Sequence, residues 1–148
     1  MAMASEHTNI SSPTTSTNNA NPQLLKIITF NITRLIPYKF KGKVKLLSEI
    51  ANTENPLIIS LSETHIIEMI NDTEILIPNY VPFRTDRLTG RKRGGVITYM
   101  KDSFATSTKT FLSNSNSFTE VQVLYVLNID LVHICKYIQT PSLPYNIL

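Results

Sequence analysis

Two polar residues follow short apolar segments in the first half of the sequence, and their side chains could bind a metal ion and a phosphate. Asn31 comes directly after the apolar segment 24–30, and Glu63 comes shortly after the nearly continuous apolar segment 57–61. Segments of this kind are typical of buried strands. If the two strands are parallel neighbours, both side chains emerge at the carboxyl edge of the sheet, where ligand sites collect. A carboxylate suits Mg²⁺ and an amide can orient a phosphate, although two ordinary polar residues that end strands are the alternative.

The chain between these two segments has the pattern of a helix. Apolar residues recur there at helical spacing, at Val44, Leu47, Ile50 and Ala51. This periodicity predicts a helix over 43–52. A strand, a helix and a second strand in succession form a crossover, for which parallel pairing of the strands is the favoured arrangement.

The rest of the sequence is dominated by predicted strands. The predicted elements are a short strand at 81–84, a strand at 96–100, a Ser/Asn loop at 113–117 and a hairpin formed by 120–127 and 129–137. Pro82 predicts that the first of these strands lies at a sheet edge, because proline has no N–H to donate to a second neighbouring strand. One helical crossover followed by several strands predicts an α+β domain with helices on the outside.

Composition limits the classes of protein to which the chain can belong. Residues 1–22 are rich in Ser, Thr and Asn and predict a disordered tail, which leaves 23–148 as one domain. Cys135 is the only cysteine, so the chain can form neither an internal disulfide nor a cysteine-rich zinc site. No segment approaches the roughly 20 apolar residues that span a bilayer, and no signal peptide is evident. We therefore expect no membrane partner and an intracellular location, nuclear or cytoplasmic.

A basic loop, defined as residues 84–93, could contact nucleic acid. It contains five cationic residues and one acidic residue, Asp86; the cations are Arg84, Arg87, Arg91, Lys92 and Arg93. They could bind the phosphate backbone of DNA, and the adjacent Gly94 and Gly95 would permit close approach of the main chain. A solvated loop with an Arg–Asp pair is the alternative. A second cationic cluster, either a DNA contact or an exposed helix entry, consists of Lys39, Lys41, Lys43 and Lys45.

Four segments resemble, in order, successive motifs of the endonuclease domain of non-LTR retrotransposons. They are 30–35 (Phe-Asn-Ile-Thr-Arg-Leu), 59–65 (Ile-Ser-Leu-Ser-Glu-Thr-His), 79–87 (Asn-Tyr-Val-Pro-Phe-Arg-Thr-Asp-Arg) and 93–99 (Arg-Gly-Gly-Val-Ile-Thr-Tyr). That domain, which is associated with a reverse transcriptase, belongs to the endonuclease/exonuclease/phosphatase superfamily. The resemblance extends over 24–141 and implies part of a four-layer α/β sandwich, two mixed β-sheets flanked by helices, truncated before its C-terminal half.

The resemblance also implies roles for three residues. Asn31 would arrange the network around the phosphate, Glu63 would bind Mg²⁺, and Tyr137 would contact the scissile phosphate of DNA. No small-molecule cofactor is implied. The tyrosine match rests on 137–141, Tyr-Ile-Gln-Thr-Pro, where the family has Tyr-Arg-Pro-Pro. An interfacial tyrosine that closes a strand is therefore the alternative for Tyr137.

Two later motifs of the family do not occur in the 148 residues. Gly-Asp-Phe-Asn and Ser-Asp-His would supply the groups that activate water and complete the phosphate site, and neither is present. His133 lies inside a predicted strand and is expected to be packed or edge-exposed rather than catalytic. A metal role for His65 beside Glu63 is a minor alternative. We therefore expect a fragment of a Mg²⁺-dependent endonuclease that is inactive alone. The alternatives are a non-catalytic nucleic-acid-binding remnant, or a fragment that aggregates because segment 57–61 lacks cover.

Overall fold

The computed structural model describes residues 24–36, 42–116 and 119–138. The predicted tail, Lys39, Lys41 and the segment that follows Ile138 lie outside the described residues. The longer α-helix, α1, comprises Gly42–Glu54, and a short helix, α2, comprises Asp102–Ala105. No helix in the described ranges has the length and hydropathy needed to cross a bilayer.

The first sheet has four strands in the order β1–β2–β4–β3. Their bounds are Ile27–Asn31 for β1, Ile58–Ser62 for β2, Tyr80–Thr85 for β3 and Val96–Lys101 for β4. β1 and β2 pair in parallel and the other pairs are antiparallel, so this sheet is mixed. The prediction of an edge strand at Pro82 is confirmed, because β3 forms one edge of the sheet.

The second sheet has three antiparallel strands in the order β5–β6–β7. Their bounds are Thr108–Ser115 for β5, Thr119–Val126 for β6 and Leu131–Ile138 for β7. The predicted hairpin is confirmed, and Asp130 supplies the left-handed residue of its connection, with φ 51°. The loop prediction for 113–117 is wrong as far as Ser115, since pairing of β5 with β6 overrides the weak strand preference of serine and asparagine.

The two sheets pack face to face. Strand β2 of the first sheet is covered by α1 on one face and by the second sheet on the other. Ile59 and Leu61 belong to one apolar core with residues of α1, whereas Ile58 packs in a second core with Met100. On the second face, Ser60 forms a hydrogen bond of 3.1 Å with the buried His133. The alternative in which this strand lacks cover is therefore wrong for the described residues, and His133 is packed, which is one of the two placements expected for it.

Candidate active site

The parallel pairing of β1 and β2 places the ends of both strands at one edge of the first sheet. Asn31 is in register with Ser62, and Glu63 is the next residue of that chain segment. The backbone pairing continues past the strands, because Ile32 N donates to Ser62 O at 3.0 Å and Arg34 N donates to Glu63 O at 2.7 Å. We call this edge, with Asn31 and Glu63 at its centre, the rim.

Glu63 is held in an unusual backbone conformation. Its φ is 53° and that of His65 is 56°, both in the left-handed region that side chains other than glycine rarely adopt. The segment is fixed on its other side by hydrogen bonds to two glycines: Thr64 N donates to Gly95 O at 3.2 Å and His65 N to Gly94 O at 2.9 Å. A conformation of this kind costs about 1–3 kcal/mol per residue. It persists only where the surrounding structure imposes it, which is often the case at functional sites.

Tyr137 approaches the same rim from the second sheet. Burial, together with the charge of Glu63 and a hydrogen bond to its carboxylate, raises the pKa of the Tyr137 hydroxyl, and the positive charge of Arg93 acts in the opposite direction. Next to it, a cleft of about 260 Å³ between β1, β2 and β7 is lined by Asn31, Ser62 and Lys136, among others. The structure thus brings the three residues predicted for metal and phosphate binding to one region.

Asn31 is oriented by its own loop. Its Oδ1 accepts hydrogen bonds from the backbone N and the Oγ1 of Thr33, both at 3.3 Å. This Asx-type arrangement leaves the Nδ2 group as the donor that can reach another oxygen. An amide donor beside a carboxylate can hold a phosphate oxygen while the carboxylate holds a cation.

Arg84 of the basic loop is used entirely within the protein. Its guanidinium donates two hydrogen bonds to Asp86, at 3.0 and 2.6 Å, and one to Asp72 at 2.6 Å. It also donates to the carbonyl oxygens of Ile70, at 2.7 Å, and Ile67, at 3.1 Å. All five donors are therefore engaged, and this arrangement leaves none for a phosphate.

Two further arginines of the basic loop also contact the protein. Arg87 Nε donates to His65 O at 3.1 Å, and Arg91 Nη1 donates to Asn116 O at 2.7 Å. Arg91 Nη1 also forms a short ion pair with Glu120. Lys92 and Arg93, in contrast, are exposed. The loop thus combines arginines that hold it in place with two cations that face solvent.

Glu120 contacts the basic loop through Arg91, and no local sequence motif marks it. Its side chain is fully buried, on the inner face of β6 with Gln122 and Leu124. The alternation of β6 is the one sequence signal that could have identified it, because positions two residues apart share a face.

Gly94 allows the loop to pass directly over this carboxylate. Its φ is +109°, and a Cβ added there would lie 2.8 Å from both carboxylate oxygens of Glu120. Gly90, with φ +90°, has no atom within 4 Å of such a Cβ. The two glycines therefore both have a positive φ and differ in the space around them.

We expect Gly94→Ala to destabilise the protein by about 1–3 kcal/mol more than Gly90→Ala. Both substitutions impose the cost of a left-handed alanine, about 1–2 kcal/mol, so the difference isolates the steric conflict with Glu120. Urea unfolding of both variants measures it. Equal losses of stability would contradict the close approach of Gly94 to Glu120.

The described residues include a hard carboxylate oxygen at the rim, from Glu63, for a divalent cation. Among them no three His, Cys, Asp or Glu residues cluster as a set of metal ligands. A hard cation such as Mg²⁺ keeps water ligands and uses one or two carboxylates together with phosphates, and Glu63 at the rim could supply one such carboxylate. Structural zinc sites need four protein ligands.

His65 is poorly suited to the minor metal role considered for it. Both ring nitrogens are buried and have no hydrogen-bond partner within the described part of the chain. Burial and the positive charge of Arg34 lower the pKa of His65, Glu63 raises it, and Arg87 and Arg93 lower it further. A ring beside these cations is an unfavourable place for a metal ion.

The two sheets have the architecture of part of the endonuclease/exonuclease/phosphatase fold. Similar solved structures are those of the AP endonuclease LMAP from Leishmania major (17% identity, TM-score 0.56) and of TDP2 from C. elegans (13%, 0.54). A third is D. rerio TDP2 complexed with single strand DNA product (13%, 0.51). No protein-family model and no curated protein sequence matches the chain.

The similarity covers most of this chain and a minor part of each neighbour. It covers 77%, 79% and 80% of the chain but 39%, 36% and 47% of the three neighbours, in the same order. At these identities the similarity establishes the fold alone. The predicted partial α/β sandwich is confirmed, with the difference that only the first sheet is mixed.

Proposed function

We propose that the chain forms the metal-binding and phosphate-binding part of a Mg²⁺-dependent DNA endonuclease of the retrotransposon type. The observation that carries this proposal is the geometry of the rim, where the parallel pairing of β1 and β2 brings Asn31 next to Ser62 and Glu63. The resemblance of the four sequence motifs supports the retrotransposon lineage, and the fold supports a phosphodiesterase.

Each residue has a distinct task in this proposal. Glu63 supplies the carboxylate oxygen for the cation, and bound Mg²⁺ would neutralise charge on the phosphodiester. Asn31 donates from Nδ2 to a phosphate oxygen. The raised pKa of Tyr137 keeps its hydroxyl protonated at neutral pH. The hydroxyl has one proton to donate, and it would turn from Glu63 to a phosphate oxygen once the carboxylate binds the cation.

We expect the purified 148-residue chain to cleave plasmid DNA no faster than buffer in the presence of Mg²⁺. The sequence contains neither Gly-Asp-Phe-Asn nor Ser-Asp-His, so a positioned base worth about 10²- to 10⁴-fold in rate is missing. An agarose-gel nicking assay measures this. Nicking by the wild-type chain that disappears in Glu63→Ala would contradict the expected inactivity while supporting the assigned metal ligand.

The exposure of Lys92 and Arg93 favours a second candidate function, nucleic-acid binding without catalysis. In this candidate the two cations contact the phosphate backbone of DNA, and Arg84 and Arg91 maintain the loop conformation. Arg87, whose Nε donates to a backbone carbonyl, has further donors with which to contribute. Binding of this kind depends strongly on salt and little on base sequence.

We expect Lys92→Gln and Arg93→Gln each to weaken DNA binding uniformly across sequences. Each should reduce the slope of log affinity against log salt by about one, the effect of one lost phosphate contact. Lys109→Gln is the charge-matched control, because Lys109 is exposed and pairs with Tyr125, far along the hairpin from Glu120. Fluorescence anisotropy at several salt concentrations measures the slopes. Identical slopes in all three variants would exclude the loop as the DNA contact.

A further inference from the structure

Glu120 is a buried carboxylate beside the rim for which the proposed chemistry has no direct use. It is fully buried and is the cross-strand partner of Tyr137, so both side chains leave the second sheet on the same face. Its Oε1 accepts from Arg91 Nη1 and, at 3.4 Å, from Ser115 Oγ. Oε2 is buried without a hydrogen-bond partner among the described residues. An ionised carboxylate is costly to bury, so its pairing with Arg91 must be tightly held.

The carboxylate holds the end of the basic loop at two points. Arg91 is fixed by its ion pair with Glu120 and by its hydrogen bond of 2.7 Å to Asn116 O. Three residues later, Gly94 passes so close to the carboxylate that a Cβ would lie 2.8 Å from both oxygens. The loop is therefore wrapped around Glu120, with one contact on each side of Lys92 and Arg93.

Arg93, between these two contacts, directly precedes Gly94, whose carbonyl oxygen accepts from His65 N at 2.9 Å beside Glu63. Arg93 is exposed, so its guanidinium is available at the part of the loop that lies next to the rim. An arginine side chain on an unrestrained loop would lose this position through conformational freedom. The two contacts at Glu120 supply the restraint.

We propose that Glu120 is a positioning residue that fixes the Arg91–Gly94 turn, so that Arg93 contacts a DNA phosphate next to the one held at the rim. This role rests on the proposed DNA-binding function. Glu120 itself touches no DNA, because it is fully buried. It acts through Arg91 and Gly94. The loss of DNA affinity on removing Glu120 should therefore not exceed the loss on removing Arg93.

A double-mutant cycle tests this coupling. Fluorescence anisotropy would give the affinity of a labelled DNA duplex for the wild-type chain, Glu120→Gln, Arg93→Gln and the double variant. We expect each single substitution to weaken binding about five- to tenfold, and the double variant to bind no more weakly than Arg93→Gln alone. Leu124→Val, on the inner face of the same strand, should leave the affinity unchanged, because it disturbs packing away from the loop.

The outcomes separate this role from the function on which it rests. Additive losses in the double variant, or an affinity unchanged by Glu120→Gln, would overturn the positioning role and leave DNA binding intact. A wild-type chain that does not bind the duplex would overturn both. If Glu120→Gln shows no cooperative melting, Glu120→Asp replaces it in the cycle. It retains the charge on a shorter side chain, and the same non-additivity is expected.

Discussion

Glu63→Gln should weaken the binding of Mn²⁺, used as a probe for Mg²⁺, at least about tenfold in the presence of a short DNA duplex. The substitution preserves the shape of the side chain but removes the negative oxygen that a hard divalent cation prefers. The loss corresponds to about 1.4 kcal/mol or more of binding free energy. Electron paramagnetic resonance of free and bound Mn²⁺ measures it directly.

A matched variant separates this effect from a general loss of negative charge. Glu49 is exposed on α1, so Glu49→Gln makes the same chemical change away from the rim. Its Mn²⁺ affinity should equal that of the wild type, and both variants should retain wild-type melting temperatures. Equal Mn²⁺ binding by Glu63→Gln and the wild type would remove Glu63 as the metal ligand.

Arg84→Lys should destabilise the protein by about 3 kcal/mol, although it keeps the charge. Lysine presents its donors at one point and cannot span the Asp86 carboxylate and the carbonyl oxygens of Ile67 and Ile70 at once. Removing one partner of a buried ion pair typically costs 3–5 kcal/mol, and the 61% exposure of the Asp72 side chain places this case near the lower limit. Urea unfolding followed by circular dichroism measures the loss.

Arg93→Lys is the control for this prediction. Arg93 is exposed, so its replacement by lysine should change the free energy of unfolding by less than about 0.5 kcal/mol. If Arg84→Lys were as stable as Arg93→Lys, the network around Arg84 would not contribute to folding. In that case its guanidinium would again be available for the nucleic-acid contact that the sequence predicts.

The rim could be predicted from the sequence because it depends on local patterns and one general rule. The apolar segments predict β1 and β2, and the periodicity of Leu47 and Ala51 predicts the helix between them. The preference for parallel crossovers then brings Asn31 and Glu63 to the same edge. Predicting the rim required only the order of these elements along the chain and not their exact bounds.

The roles of the basic loop could not be predicted in this way. In the sequence, Arg84 and Arg91 are two of five similar cations. The partner of Arg84, Asp72, lies 12 residues away, and the partner of Arg91, Glu120, lies 29 residues away. No local pattern distinguishes an arginine that folds the protein from one that faces DNA. The strand β5 was incompletely predicted for the same reason, since its residues up to Ser115 are ordered by pairing with β6.

Paramagnetic NMR can show whether Asn31, Glu63 and Tyr137 form one site for a divalent cation and a phosphodiester. Mn²⁺ would be added to the isotopically labelled chain together with a dinucleotide phosphodiester. We expect the backbone amide signals of these three residues to broaden first, and Glu63→Gln to require at least about tenfold more Mn²⁺ for the same broadening. Broadening centred on the acidic segment 68–74, with these three signals unchanged, would contradict it.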